Sequence, residues 1–224
     1  MSLSIVIPVL NEAQQLPEVL ECLRPMTERG AEVIVVDGGS EDGTPIIATR
    51  AGARVVTSPK GRARQMNAGA RIAAGDVLLF LHVDTILPDQ ADALIEAALR
   101  PHRRAWGRFD VIIRGRPWML KVIAALMNWR SRISGIATGD QAIFVARNAF
   151  ESVGGFPDQP LMEDIELSRR LRVLSPPACL RERAVTSGRR WESRGVWRTI
   201  VLMWRLRWAY WRGVPASVLA DLYQ

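Results

Sequence analysis

Carboxylates recur where apolar runs of this sequence end: Glu12 after IVIPVLN, Asp37 in VVDGGSEDG, Asp84 in LFLHVDT, and Glu163-Asp164 in LMEDIEL. Such groups can accept hydrogen bonds from a base or ribose, hold a divalent cation, or take a proton from a hydroxyl. Each also has a plainer role. Asp37-Gly38-Gly39 is ordinary chemistry for a turn at a strand end, although the same glycines let backbone approach a ligand closely. His82 precedes Asp84 by two residues, so in a strand their side chains share a face. A histidine and an aspartate there form either a hydrogen-bonded cap or part of a cation site, the imidazole suiting Mn²⁺ better than Mg²⁺. Glu163 and Asp164 open a helical pattern in which Leu167, Leu171 and Leu174 fall at i, i+4 and i+7. Acidic residues at that end complement the helix dipole by about 0.3–1 kcal/mol each. Alternatively one is a general base, its pKa raised by burial and by the other.

The elements that position these residues follow one grammar. LSIVIPVL (3–10) reads as a strand, with Asn11 as N-cap of a helix that carries Leu16, Val19, Leu20 and Leu23 on one stripe and stops near Arg24-Pro25. EVIVVDGG (32–39) is a second strand, with Thr44-Pro45 as N-cap and first position of a helix to about Ala51. ARVVTSP (53–59) is a third strand, RARQMNAGARIAA (62–74) a small-residue helix, and DVLLFLHVD (76–84) a fourth strand before a helix capped by Asp89. This alternation predicts an α/β fold: a doubly wound, mostly parallel sheet with helices on both faces. Ligands of such sheets bind beyond the carboxyl ends of the strands, at residues 8–12, 37–40 and 82–84. Past residue 105 the alternation weakens: WGRFDVII and AIFVAR read as strands, 118–129 and 196–212 as helices. The expected division is a catalytic domain over 1–190, with a donor half to residue 100 and an acceptor half after it, and a helical appendage over 191–224.

Composition removes several classes. At 48% hydrophobic and 24% charged the chain is globular rather than disordered. Two cysteines exclude a disulfide framework or a cysteine zinc site, and no signal peptide or spanning run is present, which points to the cytoplasm. There is no G-x-G-x-x-G after the first strand and no P-loop. The net charge of +7 is uneven, −4 over residues 1–100 and +11 over 101–224. Nucleic-acid binding through tryptophan and arginine would leave Asp37, Asp84 and Asp164 unexplained. A sugar-phosphate nucleotidyltransferase should show a G-x-G-x-R loop after the first strand, and SIVIPVLNEA has none.

Four segments, IVIPVLNEA, VVDGGSEDGT, GRARQMNAGARIAAGDVLLFLHVDT and GGF followed by MEDIELSRRL, together resemble the family 2 glycosyltransferases of the GT-A fold, from about residue 3 to 172. The resemblance implies an inverting, metal-assisted sugar transfer from a UDP- or GDP-linked donor to an acceptor hydroxyl. Pro8, Asn11, Glu12, Asp37 and Gly38 would hold the nucleoside, and Arg62 and Arg64 the diphosphate. Of the family's D-x-D motif only Asp84 carries over, with His82 in the other place, as ligands for Mn²⁺ or Mg²⁺. Asp164 becomes the base with Glu163 beside it. Asp140 and Gln141 fall on the acceptor side, where Asp140 alternatively caps a turn, and Arg190 and Trp191 match part of a Q-x-x-R-W segment that closes over the substrates. The short form also resembles a bacterial subgroup linked to arsenosugar biosynthesis. Acceptors of interest are a small metabolite or a polyprenyl phosphate.

Trp197, Ile200, Val201, Trp204, Trp208 and Trp211 make an amphipathic pattern, with Arg198, Arg205 and Arg212 on another flank. Such a helix can lie at the inner face of a membrane, or pack on the domain or on a second copy. Leu202, Met203 and Leu206 widen the apolar surface and favour packing or a homodimer.

Overall fold

A computed structural model describes residues 1–100 and 104–223. Strand β1 (Leu3–Val9) leads to α1 (Leu16–Glu28), β2 (Glu32–Asp37) to α2 (Thr44–Arg50), and β3 (Arg54–Thr57) to α3 (Arg62–Ile72). Then β4 (Val77–Phe80) passes through the short β5 (Thr85–Ile86) to α4 (Ala91–Leu99). β1 pairs in parallel with β2 and β4, and β2 with β3. Ile5, Ile7 and Val9 of β1 share a core with Leu16, Val19 and Leu23 of α1 and Ile95 of α4. Val6, Ile34 and Val36 pack with Ala63, Met66 and Ala70 of α3 on the other face. Burying each branched side chain contributes about 1.5–3 kcal/mol, so strands apolar on both faces require helices on both sides, as their sequence implies.

Some local expectations fail for identifiable reasons. α1 begins at Leu16, not after Asn11, because Asn11 takes a left-handed φ of 55° and the loop is tied to the one after β2. The Asn11 and Glu12 N–H groups donate to Ser40 Oγ (2.8 Å) and Thr44 Oγ1 (2.9 Å), while Asn11 Oδ1 accepts from Glu41 N–H (2.8 Å). α1 also continues through Pro25 to Glu28. Pro25 and Glu21, whose carbonyl loses its donor, are exposed to water, while buried Leu23 and Met26 anchor the turn. Gly43 and Gln90, both left-handed, occupy the N-cap positions expected for Thr44 and Asp89. β4 ends at Phe80, so strand alternation does not bring His82 and Asp84 together. A turn does, closed by the Thr85 N–H donating to the His82 carbonyl at 3.0 Å.

The second half adds β6 (Trp106–Arg114), α5 (Met119–Ser134), a single 3-10 turn (Gly139–Gln141), β7 (Ile143–Ala146), α6 (Arg147–Ser152), α7 (Glu163–Leu174) and β8 (Ala178–Ser187). Three helices follow: α8 (Arg189–Arg194), α9 (Val196–Trp211) and α10 (Ala216–Asp221). β7 is antiparallel to both β4 and β6, giving the order β3-β2-β1-β4-β7-β6-β8-β5. β8 is illegible as a strand in the sequence because Arg181, Glu182 and Arg183 are consecutive exposed charges beside a register shift between Phe109 and Asp110 of β6. α9 packs on the domain through Ile200 and Leu206, in line with the wide apolar surface of its sequence.

Candidate active site

The direction of β7 builds the site. Because β7 runs antiparallel to β4, its first residue, Ile143, lies opposite Phe80, the last of β4. The turn entering β7 therefore lands beside the loop leaving β4. One ligand atom each from His82, Asp84 and Asp140 lies within 4.8 Å of the others, and His82 Nδ1 is 3.4 Å from Asp140 Oδ1. Two carboxylates and an imidazole fit Mn²⁺ or Mg²⁺ with positions left for water or phosphate oxygens. Gly139 makes room for this set, since a methyl group there would overlap the His82 ring. Burial acts to raise the Asp140 carboxyl, but the His82 imidazole, Arg62 and Arg190 outweigh it and hold the group below its usual range. No spacing in the sequence joins residue 140 to residues 82–84; only the strand pairing does.

Asp164 reaches the same turn from α7. Its Oδ2 accepts the Gly139 N–H at 2.9 Å and its Oδ1 the Ile165 N–H at 2.7 Å. Burial first, and the Glu163 carboxylate second, push its pKa up to about 6 against those two N–H groups and Arg62. Glu163 is itself buried, 3.6 Å from Arg62 Nη1. A cavity of about 10 Å³, lined in part by Phe80, His82, Gly139, Glu163 and Asp164, has room for about one water. α7 is entered through Met162 at φ 64°, a left-handed conformation that costs of order 1–2 kcal/mol in a residue with a Cβ. Met162 is held by burial against Leu206 and Leu219 of the C-terminal helices. That strained corner aims the acidic pair at the site.

On the other side of the rim, the buried Asp37 carboxylate accepts the Gly39 and Ser40 N–H groups at 3.0 and 3.1 Å, which is the turn chemistry of its sequence. Gln65 Nε2 donates to the Val9 and Val36 carbonyls, both at 2.8 Å, and so ties the carboxyl ends of β1 and β2 together. Gly38 lies against it, where a Cβ would stand 3.1 Å from Gln65 Nε2. Nothing in RARQMNAG singles Gln65 out. Gln65→Leu is expected to cost about 1–3 kcal/mol in chemical denaturation, because a buried carbonyl loses its donor; a loss below about 0.5 kcal/mol would assign that fastening elsewhere. Pro8 lies in β1 opposite Val36. Burial raises the Glu12 pKa, Arg189 opposes it, and Asp84 and Asp42 add to it. Glu12 thus sits electrostatically next to the β4 loop.

Of the remaining residues, Arg190 lies near Arg62, Asp140 and Asp84; burial and then Arg62 lower its pKa, the two aspartates opposing. Its guanidinium covers the Tyr223 ring at 4.8 Å. Arg64 instead pairs with Asp158 at 2.7 Å. Gln141 is buried, its Oε1 accepting the Thr138 N–H at 3.2 Å, and so shapes the turn. Trp191 packs against a cluster containing Val111, Ile113 and Leu120. The structure therefore gathers Glu12, Arg62, His82, Asp84, Asp140, Glu163, Asp164 and Arg190, and directs Arg64, Gln141 and Trp191 to other partners.

A parallel half-sheet continued through the antiparallel β7 into a mixed half, with acidic groups gathered on one rim, defines the GT-A class of glycosyltransferases. The chain belongs to glycosyl transferase family 2, whose pattern matches residues 4–153. It is 32% identical over 167 residues to a PGL/p-HBAD biosynthesis glycosyltransferase of Mycobacterium bovis, covering 68% of this chain and 62% of that protein. It is 29% identical over 134 residues to an uncharacterized glycosyltransferase of the same species, covering 58% and 60%. The matched stretch thus spans only about 60% of the length of these relatives. The fold is similar to glucosyl-3-phosphoglycerate synthase from Mycobacterium tuberculosis in complex with Mg²⁺ and UDP (TM-score 0.61, 22% identity, 83% of this chain and 70% of that one). It is also similar to a mannosyltransferase from Pyrobaculum calidifontis in complex with GDP-Man and Mn²⁺ (TM-score 0.65, 22% identity, 92% and 60%).

Proposed function

We propose that this chain transfers a sugar, with inversion, from a UDP- or GDP-linked donor to an acceptor hydroxyl, with Asp164 as the base. The observation that carries the reading is the buried Asp164 carboxylate, fixed by the Gly139 N–H next to the His82–Asp84–Asp140 set. The structural relatives support the donor class, since one is bound to UDP with Mg²⁺ and another to GDP-Man with Mn²⁺. In this reading Asp37 and Glu12 flank the nucleoside, and Arg62 and Arg190 meet diphosphate oxygens. A divalent cation held by His82, Asp84 and Asp140 would neutralise charge growing on the departing nucleoside diphosphate. Asp164 accepts the proton of the acceptor hydroxyl as its oxygen attacks the anomeric carbon from the face opposite the diphosphate. Inversion follows from that single displacement, and no enzyme nucleophile is needed. The acceptors this reading admits are a small metabolite or a polyprenyl phosphate.

A raised pKa makes the base half-ionised near pH 6. Turnover is therefore expected to fall about tenfold per pH unit below that point and to level off above it. The same shift means that the native state binds more protons than the unfolded chain between an aspartate's ordinary 3.8 and about 6, so this group's contribution to stability declines as pH rises through that interval. Donor hydrolysis or transfer measured with UDP- and GDP-sugars in the presence of Mn²⁺ tests the reading; a rate flat from about pH 5 to about pH 7 would place the base elsewhere.

A further inference from the structure

Six of the eight tryptophans are 61–80% exposed, and all six lie on or beside two helices. Trp197, Val201, Trp204, Trp208 and Trp211 form a single exposed stripe along α9. Trp118, Val122, Leu126, Trp129 and Ile133 form another along α5. The opposite sides of both helices are already used: Leu120, Ile123 and Ala124 of α5 cluster with Val196 and Ile200 of α9, and Leu206 is buried against Met162. Neither stripe can turn inward. The polar residues around the stripes have one sign. α5 contributes the exposed Lys121 and α9 contributes Arg198, Arg205 and Arg207, and neither helix contains an acidic residue. Arg198, Arg205 and Arg207 form no ion pair among the described residues.

We infer that this two-helix face docks on an anionic lipid surface. Exposed tryptophan fits the headgroup boundary of a bilayer, where the indole ring is half in hydrocarbon and its N–H remains hydrated. Unpaired arginines beside it meet lipid phosphates. A second copy is the poorer occupant, because the same face would bring arginine against arginine with no carboxylate on either helix to answer them. No described helix is long and apolar enough to cross a membrane, so the face lies on the bilayer rather than spanning it. The surface is independent of the proposed sugar transfer, although Leu206 links it by packing to Met162, the residue before the acidic pair.

The test is flotation of the purified chain with vesicles of phosphatidylcholine alone and with vesicles containing phosphatidylglycerol. Binding is expected only with phosphatidylglycerol, with a blue-shifted tryptophan emission, and is expected to weaken at high salt. Arg198→Gln with Arg205→Gln should weaken binding about 25-fold, near fivefold for each cation. Trp197→Ser with Trp204→Ser and Trp211→Ser should abolish the emission shift. These side chains are exposed, and unchanged circular dichroism and melting confirm that each variant folds. Failure to float with phosphatidylglycerol vesicles at low salt overturns the inference. So does a dimer, seen by sedimentation, that the tryptophan variant dissociates while vesicles remain unbound.

Discussion

Asp164→Asn is expected to lower turnover by about 10²- to 10⁴-fold, the usual contribution of a general base, while nucleotide-sugar affinity stays within about twofold. Two structural consequences of this variant nearly cancel. One of the two backbone N–H groups now facing Asp164 loses its acceptor, at a cost of about 1 kcal/mol. Removing a desolvated charge beside Glu163 returns an amount of the same order. The variant should therefore melt within a few degrees of the parent protein. The outcome separates the two roles open to this residue. If Asp164 serves only the dipole of α7, the variant keeps its rate. If it is the base, the rate collapses and stability holds.

Gly139→Ala is expected to reduce turnover about 100-fold through geometry alone, because the new methyl group displaces the His82 ring and shifts the N–H that fixes Asp164. Affinity for Mn²⁺, measured by calorimetry, should fall about 10- to 100-fold, the range for residues that orient a metal ligand. Overpacking should also cost about 1–3 kcal/mol of stability. Combining it with His82→Ala removes the clash, so stability should recover while Mn²⁺ affinity remains low. Recovery of Mn²⁺ affinity in the double variant would strike His82 from the ligand set and leave the cation to Asp84 and Asp140.

The parallel half of the sheet was legible because β1, β2 and β4 are apolar on both faces and each precedes a helix, a pattern that short-range physics alone produces. β8 was not, since its consecutive charges sit at a register shift that depends on its neighbour β6. The start of α1 was misplaced for a similar reason. Asn11 has the chemistry of a helix cap, yet its side chain is used by Glu41, thirty residues away.

The site divides along the same line. Asp37, Asp84 and Asp164 stand out in the sequence because each interrupts or follows an apolar run, where a carboxylate is costly without a purpose. Their type and their nearness to strand or helix ends are local properties, and so is the tryptophan and arginine pattern of α9. Which of them meet is not local. Asp140 joins His82 and Asp84 because β7 reverses direction against β4, and Asp164 reaches the Gly139 N–H of the same turn from a helix entered through Met162, whose left-handed corner is held by Leu206. Contacts between residues far apart in the chain are set by strand pairing and core packing, whose energies belong to the assembled fold and to no single segment of it.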